Sequence, residues 1–253
     1  MEGKELNIKS TTIEKGLDLA KEFLGKLIGP TIEEIGLLGG DSLKYYRFKI
    51  QLNTLLKSKK YAEKNNVKLK EIPLKILVPL LDNLSIEEDE ELQDKWAKMI
   101  VNLADSEKNF QSQIFPYLLN QISKEEFDGL QELLEKESEY NILVLKYSAL
   151  KENDKFKFDT ETKQAEKAVD LVNQEGYILY LEEFETANLI RLGLIRQLPP
   201  KIYVQEFSAG GSEYEGREQW FQLDASYESY PNGYRITELG RKFIEICELE
   251  RDS

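Results

Sequence analysis

The sequence has no histidine and only one cysteine, Cys247, among its 253 residues. These absences exclude Ser-His-Asp and Cys-His catalytic systems, histidine-supported zinc sites and a disulfide within the chain. No stretch of about 18 uninterrupted apolar residues is present, and no basic start leads into an apolar stretch, so we expect neither a membrane span nor a secretory signal. The sequence therefore predicts a cytoplasmic protein, and an enzyme built from it would depend on carboxylates, Lys, Tyr, Ser or a divalent ion.

Charge is plentiful but unevenly distributed. The chain has 47 acidic and 34 basic residues, a net charge of −13, which opposes binding to nucleic acid and anionic lipid. Residues 41–70 differ from the rest, because nine basic residues there face only two acidic ones, a net of +7. The remainder of the chain therefore carries −20.

The first part of the chain has the periodicity of amphipathic helices. The capping-box pattern Thr11-x-x-Glu14 predicts a helix start, followed by apolar residues at helical spacing up to Ile28. Gly29-Pro30 interrupts this helix, and a second helix is expected from Pro30 towards Tyr61. Pro73 is expected to open a short apolar helix.

Two further capping boxes predict later helices in this part. Ser85-x-x-Glu88 precedes an apolar stripe in which Trp96 is central, and Ser123-x-x-Glu126 precedes another. The dense apolar run at 140–150 fits a helix or a strand, and we favour a helix. These patterns predict an N-terminal helical bundle over residues 1–152.

The residue pattern changes after a polar segment at 153–160, which we predict to be a hinge. A helix ending at Gly193 is followed by β-rich segments at 202–207 and 220–223, with a turn at Gly210-Gly211. A short extended piece at 234–236 leads into a last helix capped by Thr237. The predicted fold is therefore α+β and predominantly α-helical, with a C-terminal winged-helix-like domain over residues 161–253.

Several stretches resemble the Abi-alpha family, the abortive-infection alpha domain of bacterial phage-defence proteins. The resemblance covers most of residues 29–247, and it implies a mostly helical cytoplasmic protein that defends against phage through growth arrest or death of the infected cell. It supplies no catalytic residues. The stretches that carry it are Gly29-Pro-Thr-Ile-Glu-Glu-Ile-Gly36, Tyr45-Tyr-Arg47, Ile72-Pro-Leu-Lys-Ile-Leu-Val-Pro-Leu-Leu81, Glu88-Asp-Glu-Glu-Leu-Gln-Asp-Lys-Trp-Ala97, Asn188-Leu-Ile-Arg-Leu-Gly-Leu-Ile195 and Ile236-Thr-Glu-Leu-Gly-Arg-Lys-Phe243.

The basic segment is the candidate interaction surface. It interleaves aromatic and basic side chains, a combination that suits stacked bases beside phosphates. We expect Lys49 and Lys60 to lie on different faces of a helix, with Tyr46 on the apolar face. This arrangement favours a docking surface for acidic parts of this protein or of a partner over a nucleic-acid contact. The candidate residues are Lys44, Tyr45, Arg47, Lys49, Lys57, Lys59 and Lys60.

Other constellations carry less chemistry. Acidic residues from Glu87 to Glu91 with Asp94 contain the oxygen ligands of a hard cation, but consecutive residues fan around a helix, so a solvated face is favoured. The predicted recognition helix carries three glutamates, which favours a protein partner over DNA. Cys247 is expected to be a small buried residue. We predict no catalytic residue, no cofactor and no metal ligand.

The sequence thus favours a non-enzymatic antiphage protein that acts as a protein-interaction module on a phage-derived or host protein. Two alternatives stay open: a nucleic-acid-binding regulator that uses residues 44–60, and a divalent-metal-dependent hydrolase that uses carboxylates. Membrane association through the amphipathic helix at 11–28 is a minor alternative. A homo-oligomer is also left open.

Overall fold

The computed structural model describes residues 2–28, 42–152, 163, 166–167, 176–199, 201–206, 223–228 and 233–249. Over these residues the chain is predominantly helical. The helices are α1 (Glu2–Ile28), α2 (Ser42–Lys64), α3 (Leu74–Leu84), α4 (Glu90–Ala104), α5 (Ile114–Leu119), α6 (Lys124–Glu152), α7 (Glu183–Arg191) and α8 (Glu238–Cys247). The strands are β1 (Ile195–Gln197), β2 (Lys201–Glu206), β3 (Leu223–Glu228) and β4 (Tyr234–Ile236).

The chain divides into two compact units. The first contains Met1–Asp128 and Glu238–Ser253, and the second contains Gly129–Thr237. The chain therefore leaves the first unit just after α6 begins and returns to it with α8. The predicted division into residues 1–152 and 161–253 rests on a hinge at 153–160 that lies outside the described residues, and it stays a prediction.

The core of the first unit forms where α2 packs against α1 and α4, and where α4 packs against α8. Trp96 is completely buried, which confirms the prediction that it is a core residue. The rings of Phe127 and Phe243 meet edge to face with centroids 5.9 Å apart, which joins the start of α6 to α8. The inner side of α1, including Phe23 and Leu27, is buried as well. Ordinary packing against α2 thus accounts for the amphipathic pattern of α1.

Two predicted helix starts are wrong. Helix α1 begins at Glu2, so Thr11 lies within the helix and is not its N-cap. Helix α4 begins at Glu90, and its N-cap is Asp89, whose side chain accepts hydrogen bonds from the backbone N–H groups of Glu91 and Leu92. Ser85 instead lies at the C-terminal end of α3, where its hydroxyl donates to the Asp82 carbonyl at 2.6 Å.

Other local predictions are confirmed. Ser123 and Glu126 form the predicted capping box: the Ser123 hydroxyl accepts from the Glu126 N–H at 3.1 Å, and the Glu126 carboxylate accepts from the Ser123 N–H at 2.7 Å. Pro73 is the N-cap of α3. The run at 140–150 is helical, because α6 extends to Glu152.

The second unit combines the rest of α6 with α7 and four strands. Helix α7 ends at Arg191, and the predicted stop, Gly193, follows its C-cap Leu192 with a φ of +72°, a left-handed conformation that glycine adopts without strain. Strand β1 pairs antiparallel with β4, and β2 pairs antiparallel with β3. The isolated residue Tyr177 adds a bridge to Tyr234.

The predicted predominantly helical fold with small antiparallel sheets is confirmed, whereas the winged-helix arrangement stays a prediction. Strand β2 matches the predicted segment at 202–207 closely, and Tyr234–Ile236 is extended as expected. Strand β3 covers Leu223–Glu228, and residues 220–222 of the segment expected at 220–223 lie outside the described residues. The turn at Gly210-Gly211 and Trp220 lie outside the described residues. Of the helices in the described ranges, none has the length and hydrophobicity needed to cross a membrane.

Candidate functional site

The candidate site lies on α2, which has a buried inner face. Ile50, Leu55 and Ala62 are buried apolar residues of this face, and Thr54 and Ser58 are buried polar ones. The Ser58 hydroxyl donates to the Thr54 carbonyl at 2.9 Å, which satisfies it inside the helix. Apolar burial against α1 and α4 therefore fixes the rotation of α2 about its own axis. This rotation sets the direction in which the remaining side chains of the helix point.

One predicted site residue, Arg47, turns towards the interior. Its Nε donates to the Ser85 hydroxyl at 2.8 Å, and one turn further on the Gln51 amide donates to the Leu81 carbonyl at 3.0 Å. Both bonds tie α2 to the C-terminal end of α3. Arg47 thus has a structural partner in the fold, although the sequence groups it with the other basic residues.

A second predicted residue, Lys59, is paired on the side of α2 that faces α1. Its Nζ lies 3.2 Å from the Glu22 carboxylate and 3.8 Å from that of Glu63, and only 14% of its side chain is exposed. Hydrogen bonds from Lys26 and Lys59 lower the pKa of Glu22. Lys59 therefore joins two helices.

The outward face of α2 contains a row of lysines. Lys49, Lys60 and Lys64 are exposed, and Lys57 is half-buried between them. We call these four residues the lysine row. The prediction that Lys49 and Lys60 lie on different faces is wrong, because eleven residues complete three helical turns and leave an offset of only about 20°. Tyr46, expected on the apolar face, also lies on this outer face and is 45% exposed.

The remaining predicted residues, Lys44 and Tyr45, lie in the first turn of α2. The predicted set is therefore divided by the fold. Lys49, Lys57 and Lys60 share one face, whereas Arg47 and Lys59 turn to other helices. Use of this face for binding stays a prediction, and Lys64 is a member that the sequence analysis left out.

A cluster of half-buried polar side chains lies beside the lysine row, at the contact between α2 and α4. The Tyr61 hydroxyl donates to Asp94, and Lys98 lies 3.1 Å from the same carboxylate. Burial and the bond to Asp94 raise the pKa of Tyr61 to about 12, so it stays a donor. Burial alone would raise the pKa of Asp94, but the bonds from Tyr61 and Lys98 and the charge of Lys57 hold that pKa below its usual value.

Three residues of α4 hold the C-terminal end of α8. Lys98 lies 2.8 Å from the Glu248 carboxylate, and Lys95 pairs with the same group. The Asn102 amide, 1% exposed, donates to the carbonyls of Ile246 at 2.8 Å and Glu248 at 2.7 Å. The Asn102 amide satisfies carbonyls that a helix end leaves unpaired. The two lysine cations stabilise the partial negative charge at the C-terminal end of α8. We call Lys95, Lys98 and Asn102 the α8 clamp.

Sequence reasoning missed the α8 clamp. The signal was present, because Lys95, Lys98 and Asn102 follow one another at spacings of three and four residues and so form a polar line beside the apolar stripe of α4. What the sequence did not identify was the partner, which comes from the far end of the chain.

The acidic residues considered for metal binding have other partners. The Glu87 carboxylate accepts from the Asp89 N–H at 3.1 Å, Asp89 caps α4, and Glu91 lies 2.8 Å from Lys124. Asp94 belongs to the cluster with Tyr61. Across the described ranges, no group of three or more Cys, Asp or Glu side chains is arranged to hold a metal ion.

Cys247, the one thiol of the chain, is completely buried in the last turn of α8, as predicted. Burial raises its pKa well above the usual range, so the thiol stays protonated and is a poor nucleophile. An open polar cleft of about 410 Å³ lies nearby, beside the loop at 65–68. Its polar groups bond to one another: Lys108 donates to the side-chain amide oxygen of Asn102 at 3.2 Å, and Lys68 lies 3.4 Å from Glu107.

Comparison with known proteins gives one match. The profile of the family described as abortive infection alpha matches residues 45–247, which include most of α2 and all of α4 and α8. No curated protein and no solved structure shows significant similarity to the chain. Because the matched segment covers most of the sequence and agrees with the resemblance found there, the chain belongs to the abortive infection alpha family.

Proposed function

We propose that this protein is a cytoplasmic, non-enzymatic interaction module of abortive infection. It recognises a phage-derived or host protein during infection and triggers arrest or death of the infected cell. Membership of the abortive infection alpha family supports the defence role. The infected cell is lost, and the surrounding population is protected.

The observation that carries the interaction role is the contrast between the two sides of α2. Lysines that contribute to the fold, such as Lys59, have carboxylate partners within it. Lys49, Lys60 and Lys64 are exposed on one face, and none of them has an ion pair or hydrogen bond within the described part of the chain. A concentrated set of unpaired charges on an otherwise acidic protein supports binding to a complementary surface.

A phage-infection experiment tests the defence role. Cells that express the chain and cells that do not are infected with a panel of phages at low and at high multiplicity. Abortive infection predicts fewer or smaller plaques at low multiplicity, together with death of the infected culture at high multiplicity. Survival of individually infected cells would contradict the proposal, since it indicates a block before commitment of the cell.

The lysine row also favours a second candidate function, a nucleic-acid-binding regulator. Four lysines on one face could contact phosphates without reading sequence. A gel shift at several salt concentrations tests this function: retarded nucleic acid, lost as salt rises, would support it. The metal-dependent hydrolase gains no such support, because its proposed carboxylates cap or pair with neighbouring groups.

A further inference from the structure

The outer face of α2 has a defined shape and length. At 100° per residue, the members of the lysine row lie within about 80° of one another around the helix axis. From Lys49 to Lys64 the row extends for about 22 Å along the helix. Tyr46 lies at one end of the face, and the exposed Asn53 lies between Lys49 and Lys57. The face is therefore narrow, straight and about four turns long.

The charges of this face are available to a partner. Lys49, Lys60 and Lys64 are exposed and have no partner among the described residues, while Lys57 is half-buried and interacts at a distance with Asp94. The basic residues that could have mixed with them, Arg47 and Lys59, are engaged by Ser85 and Glu22. The ammonium groups of the row are thus separate from the basic groups that bind other helices of the fold.

The chemistry of the row fits carboxylates on a helix. Lys57, Lys60 and Lys64 are separated by three and four residues, which corresponds to rises of about 4.5 and 6 Å. A second helix with acidic residues at the same spacings presents carboxylates in a line of matching pitch. Tyr46 and Asn53 add an aromatic contact and a hydrogen-bonding group to the same face.

A long polyanion fits less well. Duplex DNA carries one negative charge for about every 1.7 Å of its axis, so a bound duplex would continue past the row. The whole chain has a net charge of −13, and the residues outside the row together carry −17. Among the described side chains beside the row, Tyr46 is the exposed aromatic residue available for base stacking, and the neighbouring Arg47 is bonded to Ser85.

We propose that the outer face of α2 docks an acidic α-helix of the protein partner, with its carboxylates placed against Lys49, Lys57, Lys60 and Lys64. This interaction rests on the proposed function, since it names the surface through which the module recognises its partner. The contact is electrostatic and exposed. Its affinity therefore falls as ionic strength rises.

A binding experiment with the full chain tests the docking surface. The probe is a synthetic helical peptide with glutamates along one face, and its comparison is a peptide of identical composition with glutamates spread around the helix. We expect the one-sided peptide to bind more tightly by about tenfold. Each exposed ion pair adds only a little affinity, but the one-sided peptide forms several of them together. Equal binding of the two peptides would overturn the proposal.

Two variants with the same charge change separate the row from net charge. The row variant is Lys49→Gln with Lys60→Gln and Lys64→Gln, and the control variant is Lys15→Gln with Lys21→Gln and Lys75→Gln, three lysines that are also exposed. We expect the row variant to lose about tenfold in peptide affinity and the control to lose almost none. Circular dichroism checks that both variants remain folded. Equal losses in the two variants would contradict a defined docking face.

The competing occupant and the proposed function have separate measurements. A short DNA duplex that binds more tightly than the one-sided peptide, and depends on the row, would replace the helix with nucleic acid. Plaque assays with the row variant ask whether the surface serves defence: unchanged protection by a variant that has lost peptide binding would overturn its role. Lack of protection by the parent chain would contradict abortive infection itself, independently of the peptide result.

Discussion

The first unit contains two sets of lysines that look alike in sequence and differ in their surroundings. Lys95 and Lys98 of the α8 clamp are largely covered and share the Glu248 carboxylate, whereas Lys49 and Lys60 of the lysine row are exposed. Burial of a charge requires a partner, but an exposed lysine is satisfied by water. The clamp lysines therefore contribute to the stability of this fold, while the row lysines are free to contribute to binding.

The largest expected effect on stability comes from removing α8, the helix that the α8 clamp holds. Residues 1–152 expressed alone lack α8, so the core around Trp96 and Phe127 loses the side chains that α8 packs against α4 and the start of α6. We expect this fragment to show no cooperative thermal unfolding by circular dichroism. Addition of a peptide that covers residues 238–249 should restore part of the transition. A fragment that melts as sharply as the parent would instead support the predicted domain at 1–152.

The next largest effect is expected in the core behind the clamp. Trp96→Ala should reduce the free energy of unfolding by about 3–5 kcal/mol, because it leaves a cavity at a completely buried position. Tyr46→Ala on the outer face of α2 is the control, and it should change stability by less than about 0.5 kcal/mol. Urea unfolding measures both. An unchanged midpoint for Trp96→Ala would contradict its place in the core.

Two asparagines allow a sharper comparison of the clamp and the row. Asn102→Ala removes the donor to two carbonyls at the end of α8 and should cost about 1–3 kcal/mol, the range for buried groups left unsatisfied. Asn53→Ala on the exposed face should be neutral or slightly stabilising, since alanine favours a helix. The same urea titration measures both. Equal effects of the two substitutions would show that Asn102 does not hold α8.

The smallest expected effect depends on pH. Burial would raise the pKa of Glu248, but hydrogen bonds from Lys95 and Lys98 hold that pKa below its ordinary value of 4.5. Its contribution to stability is therefore complete above pH 4.5 and is lost as pH falls through the lowered folded-state pKa. Glu248→Gln should thus cost about 1 kcal/mol or less at neutral pH, and the difference from the parent should shrink in acid.

Urea unfolding at a series of pH values measures this dependence. Glu88→Gln, at an exposed position, makes the same charge change and serves as the control. We expect the Glu88 variant to follow the parent at each pH. A difference between parent and Glu248→Gln that stays constant from neutral pH into acid would contradict the pairing with the clamp lysines.

Sequence patterns predicted the fold where the decisive contacts are local. The capping box at Ser123, the start of α3 at Pro73 and the end of α7 just before Gly193 each depend on residues within a few positions of one another. Ser85 has the same local pattern, yet its hydroxyl is engaged by Arg47, 38 residues earlier in the chain. A pattern of four residues does not contain that contact, which is why the predicted start of α4 was wrong.

The candidate site was predicted in composition but not in arrangement. The sequence identified the basic segment, and helical geometry alone would have placed Lys49 and Lys60 on the same face. The removal of Arg47 and Lys59 from the exposed set required knowledge of α3 and α1, because their partners lie there. The α8 clamp was beyond local reasoning for the same cause, since Asn102 and Ile246 are 144 residues apart.

The return of the chain to its first unit has a consequence for how the protein is made. A ribosome adds roughly 5–20 residues per second, so α4 leaves it roughly 7 to 30 seconds before the residues of α8 that complete its packing. During that time the surface that will receive α8 is exposed to other nascent chains and to chaperones. Completion of the first unit therefore waits until the whole second unit has been synthesised, and a product that stops within the second unit lacks the helix that its core requires.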